Sequence, residues 1–176
     1  MTDAELVHTM SIETNDLEEL QDSGEGWDQQ YRQLFPGAYK GVLDMRIIGS
    51  RQIFREVYGL KTLYEGTAPA GGFGYALPLD QSGNANWVGE TVTNDAVVLQ
   101  APGQEANLVS GDRWDALVFG VPEEEVRTIY SALSNNGGLD GNFHEQFSPQ
   151  ECCSLVLFRL PACIRWPRCR CGQAYS

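Results

Sequence analysis

The sequence contains very little histidine, and it has no cysteine in its first 151 residues. Its two histidines, His8 and His144, lie far apart, and all five cysteines fall between residues 152 and 171. A transition-metal site needs several imidazole or thiolate ligands that converge on one ion. We therefore expect no metal and no other cofactor. The shortage of imidazole also disfavours general acid–base catalysis.

Other absences exclude further classes of protein. The chain has no run of about 18 apolar residues, and its acidic start lacks the basic and apolar regions of a secretory signal. No serine lies in a G-x-S-x-G context, and the glycine-rich stretch 71–74 precedes a strand-like segment rather than a helix with lysine. We expect a cytoplasmic protein that has no membrane contact and is not an enzyme.

Charge is distributed unevenly along the chain. Residues 1–151 contain 8 Lys/Arg and 24 Asp/Glu, a balance of −16, whereas residues 152–176 contain four Arg and no acidic residue. A body this acidic repels phosphate backbones, and its few cations are dispersed. We expect no direct binding of nucleic acid by this chain.

Short apolar segments of strand length recur between turn residues. In the first two of them, Met45 and Ile47 and then Ile53, Arg55 and Val57 alternate with period two, as a half-buried sheet requires. No amphipathic helix separates the segments, which favours an antiparallel sandwich or barrel. The predicted strands are 42–48, 52–58, 60–65, 72–79, 86–92, 96–101, 106–109 and 114–121.

Helical segments flank these strands in the sequence. Residues 16–21 are either a short helix that Asn15 caps or part of a solvated leader. Residues 122–134, PEEEVRTIYSALS, begin with proline and three glutamates, which suit a helix N-terminus, and the sequence NNGG follows. The second helix has an apolar stripe that is either core or a dimer face, formed by Val126, Ile129, Tyr130 and Leu133.

Residues 26–57, GWDQQYRQLFPGAYKGVLDMRIIGSRQIFREV, resemble the start of the sensor domain in one branch of the AraC-type transcription regulators. That branch has the pattern G-W-x-Q-x-Y-x-Q-L-x-P-G-x-(aromatic)-x-G, followed by paired strands that end near (L/I)-F-R-E. The similarity extends over about residues 15–135. The matched positions are Gly26, Trp27, Gln29, Tyr31, Gln33, Leu34, Pro36, Gly37, Tyr39, Gly41, Phe54, Arg55 and Glu56.

The resemblance implies a mainly β fold, a cupin-like antiparallel β-sandwich or barrel followed by a short C-terminal α-helix. It also implies that the sandwich binds an effector or mediates dimerisation. The expected organisation is an acidic leader with a short helix (1–25), the sensor domain (26–121), an amphipathic helix that is a candidate dimer face (122–134), and a linker with a Cys/Arg-rich tail (135–176).

Aromatic and arginine side chains are the candidates for binding a small molecule within such a sandwich. Trp27 and Tyr31 lie four residues apart, so on a helical turn they would share a face and either cover the open end of the sandwich or line its cavity. Each arginine either pairs with a ligand carboxylate or points outward. The ligand-binding candidates are Trp27, Tyr31, Arg46, Phe54, Arg55, Tyr75, Trp87 and Trp114.

The tail departs from the resemblance, because the family's sensor domain is followed by a DNA-binding domain with two helix-turn-helix units. Only 42 residues follow residue 134, which is too few for two such units. The five tail cysteines match no zinc-binding spacing. We hypothesise that the tail is a shifted reading frame or a foreign extension; a natural short form is the alternative. The other two reading frames downstream of codon 148 would show which applies.

Three functions remain open on the sequence. The first is the effector-sensing and dimerisation domain of an AraC-type transcription regulator that lacks a complete helix-turn-helix domain, with a small-molecule effector and a homodimeric partner. The second is a stand-alone interaction protein that dimerises with full-length relatives. The third is a metal-free cupin-like enzyme that acts on a small metabolite.

Overall fold

The computed structural model describes residues 7–24 and 26–135, with side chains as far as residue 132. This part of the chain forms strands β1–β11 and helices α1 and α2. Their bounds are β1 Val7–Thr14, α1 Leu17–Asp22, β2 Asp28–Gln33, β3 Gly41–Ile48, β4 Arg51–Tyr58, β5 Thr62–Thr67, β6 Gly72–Ser82, β7 Ala85–Trp87, β8 Glu90–Val92, β9 Val98–Gln100, β10 Glu105–Val109, β11 Arg113–Pro122 and α2 Glu123–Asn135.

The strands form two antiparallel sheets. Sheet A has the order β1-β3-β4-β11-β6-β9, and sheet B has the order β2-β5-β10-β7-β8. Every strand pair among the described residues is antiparallel. The expected mainly β fold, an antiparallel sandwich followed by a short helix, is confirmed.

The core lies between the two sheets, where side chains of alternate residues meet. In the middle of sheet A, Glu56 of β4 lies in register between Leu43 of β3 and Ala116 of β11. In sheet B a row of large side chains crosses four strands in register, namely Tyr31, Tyr64, Leu108 and Trp87. All of these side chains except the partly buried Tyr31 are below 9% exposed, so the sandwich is closed over a mostly apolar interior.

The acidic leader expected over 1–25 is wrong in part, because β1 belongs to the sandwich. This strand pairs along its whole length with β3 at the edge of sheet A. Period-two alternation of Met10, Ile12 and Thr14 places these side chains on its more buried face. The expected helix follows as α1, but its cap is Asp16 rather than Asn15, since the Asp16 carboxylate accepts from the Glu18 backbone N–H at 2.9 Å.

Tyr31 lies in a strand, so the helical turn expected for Trp27 and Tyr31 is wrong. Strand β2 pairs with β5, and Tyr31 lies opposite Tyr64. The strand period of two, rather than a helical spacing of four, directs Gln29 and Tyr31 into the sandwich. Pairing with a partner strand that is distant in sequence therefore overrides the local spacing.

Residues 86–92 form a hairpin rather than the single strand expected. Strands β7 and β8 pair across the two-residue turn Val88-Gly89, and both of these residues have positive φ, 48° and 91°. A type I′ turn requires this conformation at both central positions. The backbone of Val88 is strained there, because β-branched residues disfavour positive φ.

Helix α2 packs on the outer face of sheet A. Tyr130 is buried, and together with Val126 it contacts Phe73, Leu99 and Ala101 in a second apolar cluster. Of the two alternatives that the sequence left open, the core alternative therefore applies to Tyr130 and in part to Val126, because this chain's own sheet covers Tyr130 and partly covers Val126. Ile129 is 58% exposed. Leu133 lies outside the residues whose side chains the structure describes.

Candidate ligand cavity between the sheets

A cavity of about 40 Å³ lies between the two sheets. Its walls are mainly aromatic, and they contain six of the eight predicted ligand-binding residues. Those six are Trp27, Tyr31, Phe54, Tyr75, Trp87 and Trp114. The Tyr75 ring itself packs against Phe73, with centroids 6.3 Å apart, in the outer apolar cluster. Tyr64, which is not among the eight predicted residues, is also part of the wall.

The two predicted arginines do not reach the cavity. Arg46 is exposed on β3. Arg55 points to the outer face of sheet A, where its guanidinium donates to both carboxylate oxygens of Asp115 at 2.8 and 2.7 Å. Successive residues of a strand point to opposite faces, so an inward Glu56 requires an outward Arg55. The predicted pairing of either arginine with a ligand carboxylate in this cavity has no support in the geometry.

A glycine in β6 provides the space that the Trp27 ring occupies in the cavity wall. The Trp27 ring packs edge-on against Phe54, with ring centroids 5.7 Å apart, and its indole N–H donates to Gln52 at 2.6 Å. A Cβ atom on Gly74 would lie 2.6 Å from Cη2 of Trp27, closer than a side chain can approach. Gly74 lies in β6 and accommodates the indole.

Glu56 is the one carboxyl group in the described cavity wall, and it is 8% exposed. Its Oε1 atom accepts a long hydrogen bond from the Trp114 indole N–H at 3.4 Å. No arginine, lysine or histidine is among the described residues of the wall. Glu56 was noted in the sequence only as the last residue of the F-R-E match. Its alternation with Phe54 and Tyr58 is the pattern from which its inward position follows.

Burial raises the pKa of the Glu56 carboxyl from 4.5 to about 7, and the nearby Tyr58 and Trp114 side chains partly oppose this rise. Tyrosines from several elements surround the carboxyl. Burial first, and the Glu56 charge second, raise the pKa of each tyrosine above its ordinary value. These tyrosines are Tyr31, Tyr39, Tyr58 and Tyr64. All four remain neutral near pH 7, so Glu56 is the titrating group of the cluster.

The two amide side chains of the wall are committed to the protein itself. Gln100 donates to the backbone carbonyls of Gly66 and Gln104, both at 2.8 Å, and accepts from the Tyr64 hydroxyl at 3.2 Å. Gln29 donates to the Gln21 carbonyl. These amides therefore hold the walls in place and offer little hydrogen-bonding capacity to a ligand.

The hydroxyl groups of two tyrosines near Glu56 are buried without a hydrogen-bond partner among the described residues. They belong to Tyr39 and to Tyr58; the Tyr58 hydroxyl lacks hydrogen-bond geometry but lies close enough to Glu56 to lower the pKa of that carboxyl. A buried unsatisfied hydroxyl costs free energy, and in a native fold it usually has an explanation in strain, water or ligand binding. The carboxyl end of the cavity is therefore the part of the interior whose polar groups are least satisfied.

Within residues 7–24 and 26–135, no three His, Cys, Asp or Glu side chains gather into a group that could hold a metal ion. In the same part of the chain, neither helix is long and apolar enough to cross a membrane. The chemistry open to the cavity is thus that of aromatic rings and a single carboxyl group.

Comparisons with known proteins leave the family undecided. No family model matches the chain, and no curated protein matches it. Among solved structures, a predicted oxalate decarboxylase from Thermotoga maritima shows 13% identity and a TM-score of 0.37, over 54% of this chain and 92% of that one.

Two cupin domains give similar values. One from Rhodospirillum rubrum has 12% identity and a TM-score of 0.37, covering 65% of this chain and 90% of its own. The Cnp3 cupin domain of Schizosaccharomyces pombe has 9% identity and a TM-score of 0.34, covering 65% and 74%. Because these TM-scores and sequence identities are so low, these structures do not indicate what this chain binds or does.

Proposed function

We propose that this chain is the effector-sensing domain of an AraC-type transcription regulator and that it binds a small molecule between its two sheets. The cavity beside Glu56 is the observation that carries the proposal. Ligand sites are concave, mainly apolar, and contain a few polar groups that fix orientation. The AraC-type assignment itself is supported by the resemblance of residues 26–57 to the sensor domains of that family.

The composition of the wall supports binding over catalysis. Aromatic rings supply contact area, and the amides of Gln29 and Gln100 are occupied in holding the backbone. A catalytic site usually combines a nucleophile, a base and an orienting group. The described wall offers one carboxyl group and no basic side chain to pair with it.

The size of the cavity limits what enters it. A water molecule needs roughly 10–15 Å³ by the measure used for such cavities. A volume of about 40 Å³ therefore admits one or a few water molecules, or a chemical group of similar size. The proposed effector places one small group beside Glu56 rather than burying a large body.

A substitution that fills the cavity tests the proposal. Ala76 lies in the wall, and Ala76→Leu adds three carbon atoms to it; Ala38→Leu, in an exposed loop, is the matched control. Native mass spectrometry of the purified chain and thermal shifts with a metabolite panel give the readout. We expect a bound or stabilising small molecule for the wild type and A38L, and none for A76L. The absence of any ligand for the wild type, or equal binding by A76L, would refute the proposal.

A metal-free cupin-like enzyme is the second candidate, and one observation favours it. A carboxyl group with a pKa of about 7 is suited to proton transfer near neutral pH. Turnover of a bound metabolite separates the two functions. If the chain is an enzyme, Glu56→Gln lowers the turnover rate at least about 100-fold, in line with the usual contribution of a general acid or base. If it is a sensor, the wild type shows no turnover.

A further inference from the structure

We infer that the cavity between the sheets binds the ammonium group of a small organic cation, with the Glu56 carboxylate as its counter-charge and the aromatic rings as its walls. This inference rests on the proposed function and names the chemical class of the ligand. Three properties of the described wall support it: its hydrogen-bonding capacity, its charge and its aromatic surface.

The carboxyl group of the wall has spare hydrogen-bonding capacity as an acceptor. Glu56 accepts one long bond from Trp114 at 3.4 Å, and the nearby Tyr58 hydroxyl lowers its pKa, whereas an ionised carboxylate has about four acceptor positions. The amides of Gln29 and Gln100 are already engaged. A ligand that enters beside Glu56 is therefore best matched when it brings hydrogen-bond donors, and an alkylammonium group has three.

The charge of the wall also selects a cation. Glu56 faces tyrosines from β2, β4 and β5 and from the segment before β3, namely Tyr31, Tyr58, Tyr64 and Tyr39, and these remain neutral. No cationic side chain is among the described residues of the wall. A buried carboxylate without a counter-charge is costly, so a bound ammonium group stabilises its ionised form and lowers its pKa from about 7. An anionic ligand would meet repulsion instead.

Aromatic rings surround this carboxyl. Tyr31 and Tyr64 have centroids 5.6 Å apart, and Tyr64 stacks on Trp87 at 6.5 Å. Rings of this kind attract a cation within about 6 Å of their faces, and the attraction is strongest where water is excluded. The cavity of about 40 Å³ is close in size to an ammonium group with one or two carbon atoms. The balance of −16 over residues 1–151 further raises the local concentration of cations.

Three probes of nearly equal size test the ligand class on the 176-residue chain: ethylammonium chloride, ethanol and sodium acetate, at equal ionic strength and pH 7. The readout is the NMR resonance of the Trp114 indole N–H, the group that donates to Glu56. The Trp114→Phe variant assigns that signal among the four tryptophans of the chain. A probe of three heavy atoms binds with a dissociation constant of about 1 mM at best, so titration extends to about 100 mM.

A matched pair of variants isolates the carboxylate. Glu56→Gln keeps the size of the side chain and an acceptor for Trp114 but removes the charge. Glu65→Gln makes the same change on β5 at a half-exposed glutamate paired with Arg32 at 3.2 Å. We expect ethylammonium to shift the Trp114 signal saturably in the wild type and in E65Q. In E56Q its affinity falls at least about 10-fold, the loss expected for one charge-assisted hydrogen bond.

The outcomes separate this inference from the proposed function. Saturable binding of ethanol or acetate without ethylammonium would overturn the cation inference and leave a ligand cavity in place. Ethylammonium bound equally well by E56Q would overturn it too. If no probe binds and native mass spectrometry shows no co-purifying small molecule, both proposals fail. Should E56Q not fold, the ranking of the three probes on the wild type decides the question.

Discussion

Two buried carboxyl groups lie on neighbouring strands of sheet A and face opposite ways. Asp115 of β11 points outward, is 5% exposed and forms a two-pronged ion pair with Arg55. Glu56 of β4 points inward, is 8% exposed and accepts one hydrogen bond from Trp114. The two groups have nearly the same burial, but only Asp115 has a counter-charge.

The difference shows that the fold supplies a counter-charge to one of two carboxyl groups of nearly equal burial and not to the other. A buried carboxylate with a bidentate guanidinium partner is a structural element, because its charge and lone pairs are satisfied within the fold. A buried carboxyl without a counter-charge has a raised pKa, and its charge is available to a ligand. Three predictions test this contrast between Glu56 and Asp115, and a fourth, at Ile129, gives a baseline.

The largest expected effect is that the Glu56→Gln variant has a higher free energy of unfolding than the wild type at high pH. The folded pKa of about 7 exceeds the unfolded value of 4.5, so between these values the folded wild type binds more protons and loses stability as pH rises. The loss amounts to about 3 kcal/mol by pH 7 and then levels off. Gln does not titrate, so E56Q and the wild type diverge from pH 4.5 to pH 7. Urea denaturation at pH 4.5, 6 and 8 measures this, and a constant difference would contradict it.

Arg55→Met is expected to lower the free energy of unfolding, whereas Glu56→Gln raises it. The change leaves Asp115 buried without its partner, and we expect a loss of about 2 kcal/mol. Solvent reaches the Arg55 side chain, which is 45% exposed, so the loss is smaller than for a fully buried pair. Arg32→Met is the control, since that exposed pair with Glu65 contributes little. Equal unfolding free energies for R55M and R32M would show that the Arg55–Asp115 pair is not structural.

Trp114→Phe removes a hydrogen bond to Glu56 and part of the packing around it. Trp114 is fully buried, and the smaller ring leaves a void, so we expect a loss of about 1 to 2 kcal/mol. Removal of the indole N–H also takes away one of the groups that lowers the pKa of Glu56, so this pKa rises further. A ¹³C-detected pH titration of the Glu56 carboxyl measures the direction. A fall in the pKa would show that this hydrogen bond does not stabilise the carboxylate.

The smallest effect is expected at Ile129, which provides a baseline. Ile129 belongs to the predicted dimer stripe and is exposed, so we expect Ile129→Ser to alter the unfolding free energy by less than about 0.5 kcal/mol. Sedimentation velocity of the wild type and I129S tests the homodimer. Dissociation of a wild-type dimer by I129S would assign the interface to the outer side of α2. A dimer that I129S leaves intact would exclude this face.

The sequence predicts most strands of this protein because their signals are local. Alternation predicts β3 and β4 within one residue of their observed bounds, and turn residues mark the beginning of β6. Strands β1 and β2 were missed, since their polar and acidic composition hides an alternation that becomes meaningful only beside β3 and β5. The helical spacing assigned to Trp27 and Tyr31 failed for the same reason.

The sequence predicts the aromatic residues of the candidate site but not its charged residue. Large aromatic side chains in strands are usually buried, so six of the eight candidates were found in the wall. Glu56 was not selected, because a glutamate in sequence is normally exposed. Which of the neighbours Arg55 and Glu56 points inward depends on strand register, and a shift of one residue reverses the answer.

Composition and pattern alone determined that the chain is a mainly β protein with an acidic body, few histidines and a helix after its last strand. Those properties depend on residue counts and on periods of a few residues. Only the tertiary structure decided that Glu56 faces the interior without a counter-charge, that Arg55 is held outside by Asp115, and that Tyr130 packs against its own sheet. These facts depend on which distant strands pair and in which register, and that choice is made by the free energy of the whole packed sandwich.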